Sequence, residues 1–339
     1  MSISDEVLLL GVDDGFDCIK INENDTKNFL IQSRAAMGGE KRINIGEGIG
    51  GISSIKEYVT DDAIYQIGDI DNALPTRYDD FPLSSHNRAL VYAAIDQAGY
   101  GLRPIELCTG LPLRTFFSGG GGYNDIMISN KKSNLLKNDV KDRLGNPVAN
   151  IVGHEVIAEC VATYLDYVVS EDKEGKVKII NDRSKDKIAI VDIGGKTTDI
   201  VVVENFSVKL DQAATMDIGM LSARSSLAER ILLEFDVTVS DKALIQSMRT
   251  GHIKIYGKKV DVRHLVQESL SELVHNIKTK VKQVIGKGVD LDCVIMTGGG
   301  SQVLSDAVLG WYPKQIIASN PQFSNAKGMR KYLQLKHQG

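Results

Sequence analysis

Several features that would narrow a function quickly are absent from this chain. No apolar run is long enough to cross a membrane, since VLLLGV near the start is far too short, and the opening MSISDE is polar and acidic, unlike a signal peptide. The cysteines, Cys18, Cys108, Cys160 and Cys293, stand apart in apolar contexts with no CxxC pair and no neighbouring histidine. That pattern suggests neither zinc nor disulfides, and they read as reduced core thiols of a cytoplasmic protein. His264 and His275 do not make a metal pair. Positive charge is not in surplus: 40 Lys and Arg stand against 44 Asp and Glu, for a net charge of −4, so a direct, nonspecific hold on DNA is not expected. GxGxxG and GxxxxGK[ST] are both missing, so neither Rossmann nor P-loop chemistry is indicated.

What is present is IAIVDIGGKTTDIVVV, Ile188 to Val203, an apolar strand, a polar turn and a second apolar strand. It has the pattern of a hairpin tip able to hold phosphate. Gly194 and Gly195 lack Cβ atoms, so backbone N–H groups can approach an anion, and the Thr197 and Thr198 hydroxyls can donate to phosphate oxygens. Asp192 and Asp199 would repel phosphate unless a divalent cation intervened, and Mg²⁺ favours one or two carboxylates plus phosphates and retained waters. A tight hairpin using these residues for turn geometry alone would share the pattern.

VLLLGVDDGFDCIKI, Val7 to Ile21, repeats the plan, with Asp13, Asp14 and Gly15 in the turn and Lys20 in the returning strand. Two such units suggest a duplicated domain clamping a nucleotide, with Lys20 as a compact charge for the β or γ phosphate. A third element, Asp292 to Leu309, is a buried strand opening through Gly298, Gly299 and Gly300 onto a helix. Such turns bring bare backbone against a nucleotide and aim the positive helix end at it.

Taken in order, DDG, DIGGKTTD and TGGGS resemble the motifs of the actin, Hsp70 and sugar kinase superfamily. DDGFDCIK, CTGLPL (Cys108 to Leu113), IVGHEVIAE (Ile151 to Glu159), VDIGGKTTDIVVV, MTGGGSQVLSDAV and NAKGMRKYLQL are most similar to plasmid-segregation actins of the ParM (StbA) type. The resemblance implies an α/β, actin-like fold of two duplicated ribonuclease H-like domains with nucleotide in the cleft between them. It also implies an ATPase using ATP, or GTP, with Mg²⁺ held through Asp13 and Asp192. Asp13, Asp14, Gly15, Lys20, Gly194, Gly195, Lys196, Thr197, Thr198 and Asp199 would hold the nucleotide together with Gly219, Gly298, Gly299, Gly300 and Ser301. Glu155 would orient the attacking water, with Asp192 as its catalytic companion; the plainer reading makes Glu155 a dipole-compensating residue. The implied partners are further copies in a head-to-tail filament and a DNA-binding adaptor on a centromere-like plasmid site, without direct nucleic acid or membrane binding. A small-molecule kinase and a nonhydrolysing nucleotide-dependent scaffold are the rival expectations.

Three positions depart from the family pattern. Phe16 follows Gly15 where relatives carry Ser or Thr, Lys196 replaces a usual Gly or Thr and could meet phosphate or solvent, and Lys20 matches through spacing alone.

A chain of 339 residues can bury more than one core. The expected first domain spans 1–154, with a polar inserted subdomain at about 24–85 that includes Gly46 to Gly51, and is completed by a C-terminal helix at 325–339 capped by Asn325. The second spans 155–324, with an inserted helical subdomain at about 222–285. Periodicity predicts helices at Ser85 to Gly99, His154 to Val169, Ser222 to Phe235 and Arg263 to Ile285. On that reading Glu155 lies in a first helical turn and His154 is a surface or capping residue. Gly119 to Gly122 reads as a mobile loop.

Overall fold

A computed structural model describes residues 6–38, 55–71, 73–119 and 121–338. The Gly46 to Gly51 cluster and Gly120 therefore lie outside the described residues. The chain begins with β1 (Leu8–Asp14), β2 (Cys18–Asn22), β3 (Asn28–Gln32), β4 (Ala35–Met37), β5 (Lys56–Thr60) and β6 (Ala63–Ile67). Then come α1 (Ser85–Gln97), β7 (Pro104–Leu111), α2 (Leu113–Phe116), α3 (Asp125–Leu135), β8 (Lys141–Asp142), β9 (Asn150–Ala158), α4 (Glu159–Val168), β10 (Val169–Glu171) and β11 (Val177–Ile179). The later part holds β12 (Lys187–Ile193), β13 (Thr198–Glu204), β14 (Ser207–Met216), α5 (Met220–Phe235), α6 (Asp241–Thr250), β15 (His252–Ile255), β16 (Lys258–Asp261) and α7 (Arg263–Ile285). It closes with β17 (Cys293–Thr297), α8 (Gly298–Val303), α9 (Ser305–Val308), β18 (Gln315–Ile317) and α10 (Ser324–Gln338).

These elements form two compact units, Met1–Ile180 with Phe323–Gly339, and Asn181–Gln322. Each is built on a five-stranded sheet of the same plan. The first has the order β3-β2-β1-β7-β9 and the second β14-β13-β12-β17-β18. In both, an antiparallel three-strand meander adjoins two parallel strands. The repeated topology is what a duplicated domain requires.

In the first unit, α1 buries every residue from His86 to Ile95. α10 reaches β1 so closely that a Cβ on Gly11 would stand 1.7 Å from the Ala326 carbonyl oxygen, and one on Gly328 equally close to the Ala162 oxygen of α4. Glycine is thus obligatory at both crossings. Thr163 donates to Asn325 at 2.7 Å, and Lys331 meets Asp166 at 2.9 Å. These bonds hold α4 in the first unit, which therefore runs to Ile180 instead of ending at the expected 154. They also place Asn325 inside α10 and not at its cap.

The expected insertion near 24–85 has more strand than its polar composition suggested: β3 completes the main sheet, while β4, β5 and β6 join β8 in a separate four-stranded sheet. The subdomain expected at 222–285 contains α5, α6 and α7, but also the β15–β16 hairpin, around Leu227, Ile231, Leu244, Ile253 and Leu265. Below it, Leu273, Ile277, Val281 and Ile285 of α7 join the core of the second sheet. No described helix is long and apolar enough to cross a membrane, and all four cysteines are free.

The largest revision falls at 150–158. Asn150–Ala158 is a strand parallel to β7, and the helix begins only at Glu159. Ile151, Val156 and Ile157 are β-branched and favour the pleated surface. His154 is buried within this strand, with Nε2 2.9 Å from the Thr109 hydroxyl and Nδ1 3.3 Å from the Lys132 carbonyl. Burial, aided by nearby Lys131, pushes its pKa down to about 3.

Candidate functional site

The second unit carries its candidate residues on the tip joining β12 to β13. Asp192 and Asp199 are direct cross-strand partners, 4% and 2% exposed. Buried like charges opposed on one face are unfavourable until a cation or proton intervenes. Thr215 donates to Asp199. Within the tip, the Gly194 N–H donates to the Thr197 carbonyl at 2.9 Å.

The two threonines divide the work. Thr198 is fully buried and donates inward to the Ile218 carbonyl at 2.8 Å, so its hydroxyl serves the fold. The Thr197 hydroxyl has no hydrogen-bond partner among the described residues. Lys196 is 8% exposed, which disfavours the solvent-pointing alternative.

Gly219 locks α5 onto this tip. A Cβ there would lie 2.4 Å from the Gly195 oxygen, while the N–H groups of Met220 and Leu221 donate to the Gly194 and Gly195 carbonyls at 3.1 and 2.9 Å. Gly298, at φ +83°, approaches Asp192 so closely that a Cβ would sit 2.2 Å from its carboxylate oxygen, and Gly300 abuts Ile193. These two glycines thus pack against β12, whereas Gly299 faces open space. The triplet forms the first turn of α8 itself, and Ser301, fully buried, donates to the Thr297 carbonyl.

In the first unit, adjacent positions of β1 face opposite ways, so Asp13 and Asp14 part company. Asp13 opposes Lys20 across the hairpin, 2.7 Å from its Nζ. Gly15 lies over that pair, with a Cβ there 3.5 Å from Asp13 Oδ1 and 4.0 Å from Lys20 Nζ. Ser33 and Thr76 hydroxyls tie the Gly15 and Phe16 carbonyls at 2.7 and 2.6 Å. The Phe16 ring packs on Phe81, 5.4 Å between centroids, which makes it an apolar anchor. Asp14 turns into the core against Lys131 at 2.8 Å, and burial raises its pKa against the pull of that lysine.

Glu155 does not open a helix. It lies level with Cys108, back from the strand end, and binds Lys132 at 2.7 Å and Lys336. Burial pushes its carboxyl up, but the two lysines outweigh that and leave it lowered. The residue overlooked in the sequence is Glu159. As the first residue of α4, it covers Gly110, where a Cβ would stand 2.6 Å from Glu159 Cγ and 3.5 Å from its Oε1. Gly110 follows the Val12–Thr109 pair, and so stands level with Asp13 along the sheet. The signal for Glu159 was the β-branched run before it, which marks a strand end.

Hard carboxylate oxygens opposed at a glycine-rich tip suit Mg²⁺ completed by phosphate and water, although no cluster of three or more His, Cys, Asp or Glu able to hold a metal occurs among the described residues.

Residues 190–309 match the family model described as the C-terminal part of the archaeal MreB-like actin homologue. Over 97% of this chain and all of the other, the chain is similar to the archaeal actin homologue Ta0583 in complex with ADP, with 20% identity and a TM-score of 0.74. The chain has an actin-like fold.

The same actin-like fold relates it to the ParM of a 15-stranded filament from Clostridium botulinum, with 20% identity, a TM-score of 0.76 and coverage of 98% and 99% of the two chains. The apo psk41 ParM protein is similar at 17% identity, with a TM-score of 0.68 and 98% coverage of both. Among curated proteins nothing matches.

Proposed function

We propose that this chain is a filament-forming actin-like ATPase of the plasmid-segregation kind, using ATP, or GTP, with Mg²⁺ and reaching its plasmid site through a DNA-binding adaptor. The observation that carries the reading is the β12–β13 tip, where two buried carboxylates oppose each other beside the Thr197 hydroxyl and glycine backbone. In the second unit, tip N–H groups and Thr197 bind phosphate and Asp192 serves Mg²⁺; in the first, Asp13 offers the matching carboxylate and Lys20 a compact cation. The metal, when bound, would neutralise carboxylate and phosphate charge. Glu159, in place of Glu155, orients the attacking water through its carboxylate. A relative solved with ADP and another solved as a filament support nucleotide use and self-association.

Light scattering and phosphate release, followed together over a concentration series after adding ATP and Mg²⁺, test this. Scattering that rises above a threshold concentration and decays as phosphate appears is the expected result. Phosphate release independent of protein concentration, without scattering, would overturn the filament reading in favour of a kinase. Filaments without phosphate release would leave the nonhydrolysing scaffold.

A further inference from the structure

Away from the hairpin tips, the second unit holds a cavity of about 430 Å³ between α6 and the β15–β16 hairpin. Gln246, Thr250, His252, Lys254 and Lys259 line it together with Ala243 and Ile253, whose own side chain is buried in the core on the hairpin's other face. Lys254 and Lys259 are direct cross-strand partners, so both ammonium groups leave the same face of the hairpin, an arrangement that by itself destabilises the pair.

Neither lysine has an ion-pair partner among the described residues. The acid closest in register, Asp261 opposite His252, is engaged by Arg263 at 3.0 Å. His252 uses Nδ1 on the Thr250 carbonyl at 2.7 Å, leaving Nε2 as its other polar ring atom. The connecting turn holds the register despite a local cost: Tyr256 and Gly257 both have positive φ, +48° and +81°, and the tyrosine is 89% exposed. A bulky residue in the left-handed region is strained, and no packing compensates it here. A two-residue turn of this kind fixes which residues face each other.

We propose that this cavity binds a phosphate-bearing small molecule, with Lys254 and Lys259 gripping the phosphate and the polar side chains of Gln246, Thr250 and His252 meeting the rest. Lysine is a compact phosphate-binding cation, and the volume is that of an ordinary small-molecule site. The anion supplies a countercharge to the two lysines, which have no ion-pair partner among the described residues. The site lies away from the β12–β13 tip, and only the nucleotide arm of the test below rests on the function proposed above.

Calorimetric titration of the full chain tests the site, with its primary nucleotide site saturated by a nonhydrolysable ATP analogue and with pyrophosphate, further analogue or duplex DNA as probe at fixed salt. Pyrophosphate binding that weakens at least tenfold in K254Q/K259Q, with binding of the first analogue equivalent unchanged, is the expected result. A second analogue equivalent lost in the same variant would identify a nucleotide as the phosphate source, whereas pyrophosphate binding alone would point to a free polyphosphate. K254E should relieve the cross-strand repulsion and raise the melting temperature while removing the anion, which separates binding from folding. Equal pyrophosphate binding in wild type and K254Q/K259Q, or none in wild type, would overturn the site; binding of duplex DNA alone would overturn the small-molecule assignment.

Discussion

Lys131 Nζ lies 2.8 Å from Asp14 Oδ1 with both side chains buried, and it also donates to the Gly110 carbonyl, so one ammonium group ties α3 to the ends of β1 and β7. Burial raises the Asp14 pKa, while Lys131 and then the neighbouring Asn87 side chain pull it back down. Removing the lysine strands a buried carboxylate. K131M should therefore lower unfolding stability by about 3–5 kcal/mol, and D14N/K131M should recover much of that loss. Urea unfolding of the two variants measures it; equal losses would mean that the lysine acts through packing and not through charge.

Glycines around the second tip separate by what a methyl group would meet. G219A drives a Cβ into the Gly195 oxygen, and should cost stability and nucleotide affinity together. G299A meets nothing within 4 Å in a helical turn, and should leave stability unchanged or raise it by about 0.5–1 kcal/mol. If Gly299 provides close backbone approach to the nucleotide, affinity in G299A falls even though the fold is intact. Thermal melts and binding of a fluorescent ATP analogue, compared across both variants, read the two effects apart.

On the proposed ATPase function, Glu155 and Glu159 are the two candidates for orienting the attacking water. E159Q should retain nucleotide and lose phosphate release by about 10²-fold or more, the range for a positioned acid–base group. E155Q should keep its rate within a few-fold and lose about 0.5–1 kcal/mol, because its lysine partners are partly exposed. Single-turnover phosphate release decides between them, and the opposite pattern would return the role to Glu155.

Acid should weaken the fold through two buried histidines. Burial holds His154 at about 3 and His86 at about 4, below their ordinary 6.5. The unfolded chain thus takes up protons below pH 6.5 that the folded chain refuses, so stability is complete above that pH and falls as pH drops towards 4. Each histidine contributes a slope approaching about 1.4 kcal/mol per pH unit. Denaturant unfolding between pH 7 and 5 should show this decline, and H154Q should flatten it; an unchanged slope in H154Q would place the acid sensitivity elsewhere.

The sequence by itself determined the elements whose cause is local. The Ile188 to Val203 hairpin follows from apolar runs around a glycine turn, and the predicted helix at Arg263 to Ile285 coincides with α7 because its stripe repeats at helical spacing. The duplicated plan was legible in the spacing of the DDG and DIGG turns, and it reappears as two sheets of one order. Tertiary structure alone decided which neighbour faces which way. Along a strand consecutive side chains point to opposite faces, so Asp13 against Asp14 depends on what covers each face, and Thr197, in the tip just before β13, parts from Thr198 by what packs on each. α1, α3 and α10 supply that cover in the first unit, and α5 with the end of β14 does so in the second. Such partners are remote in sequence, and for the same reason the start of α4 at Glu159 rests on β9 running to Ala158 beside β7.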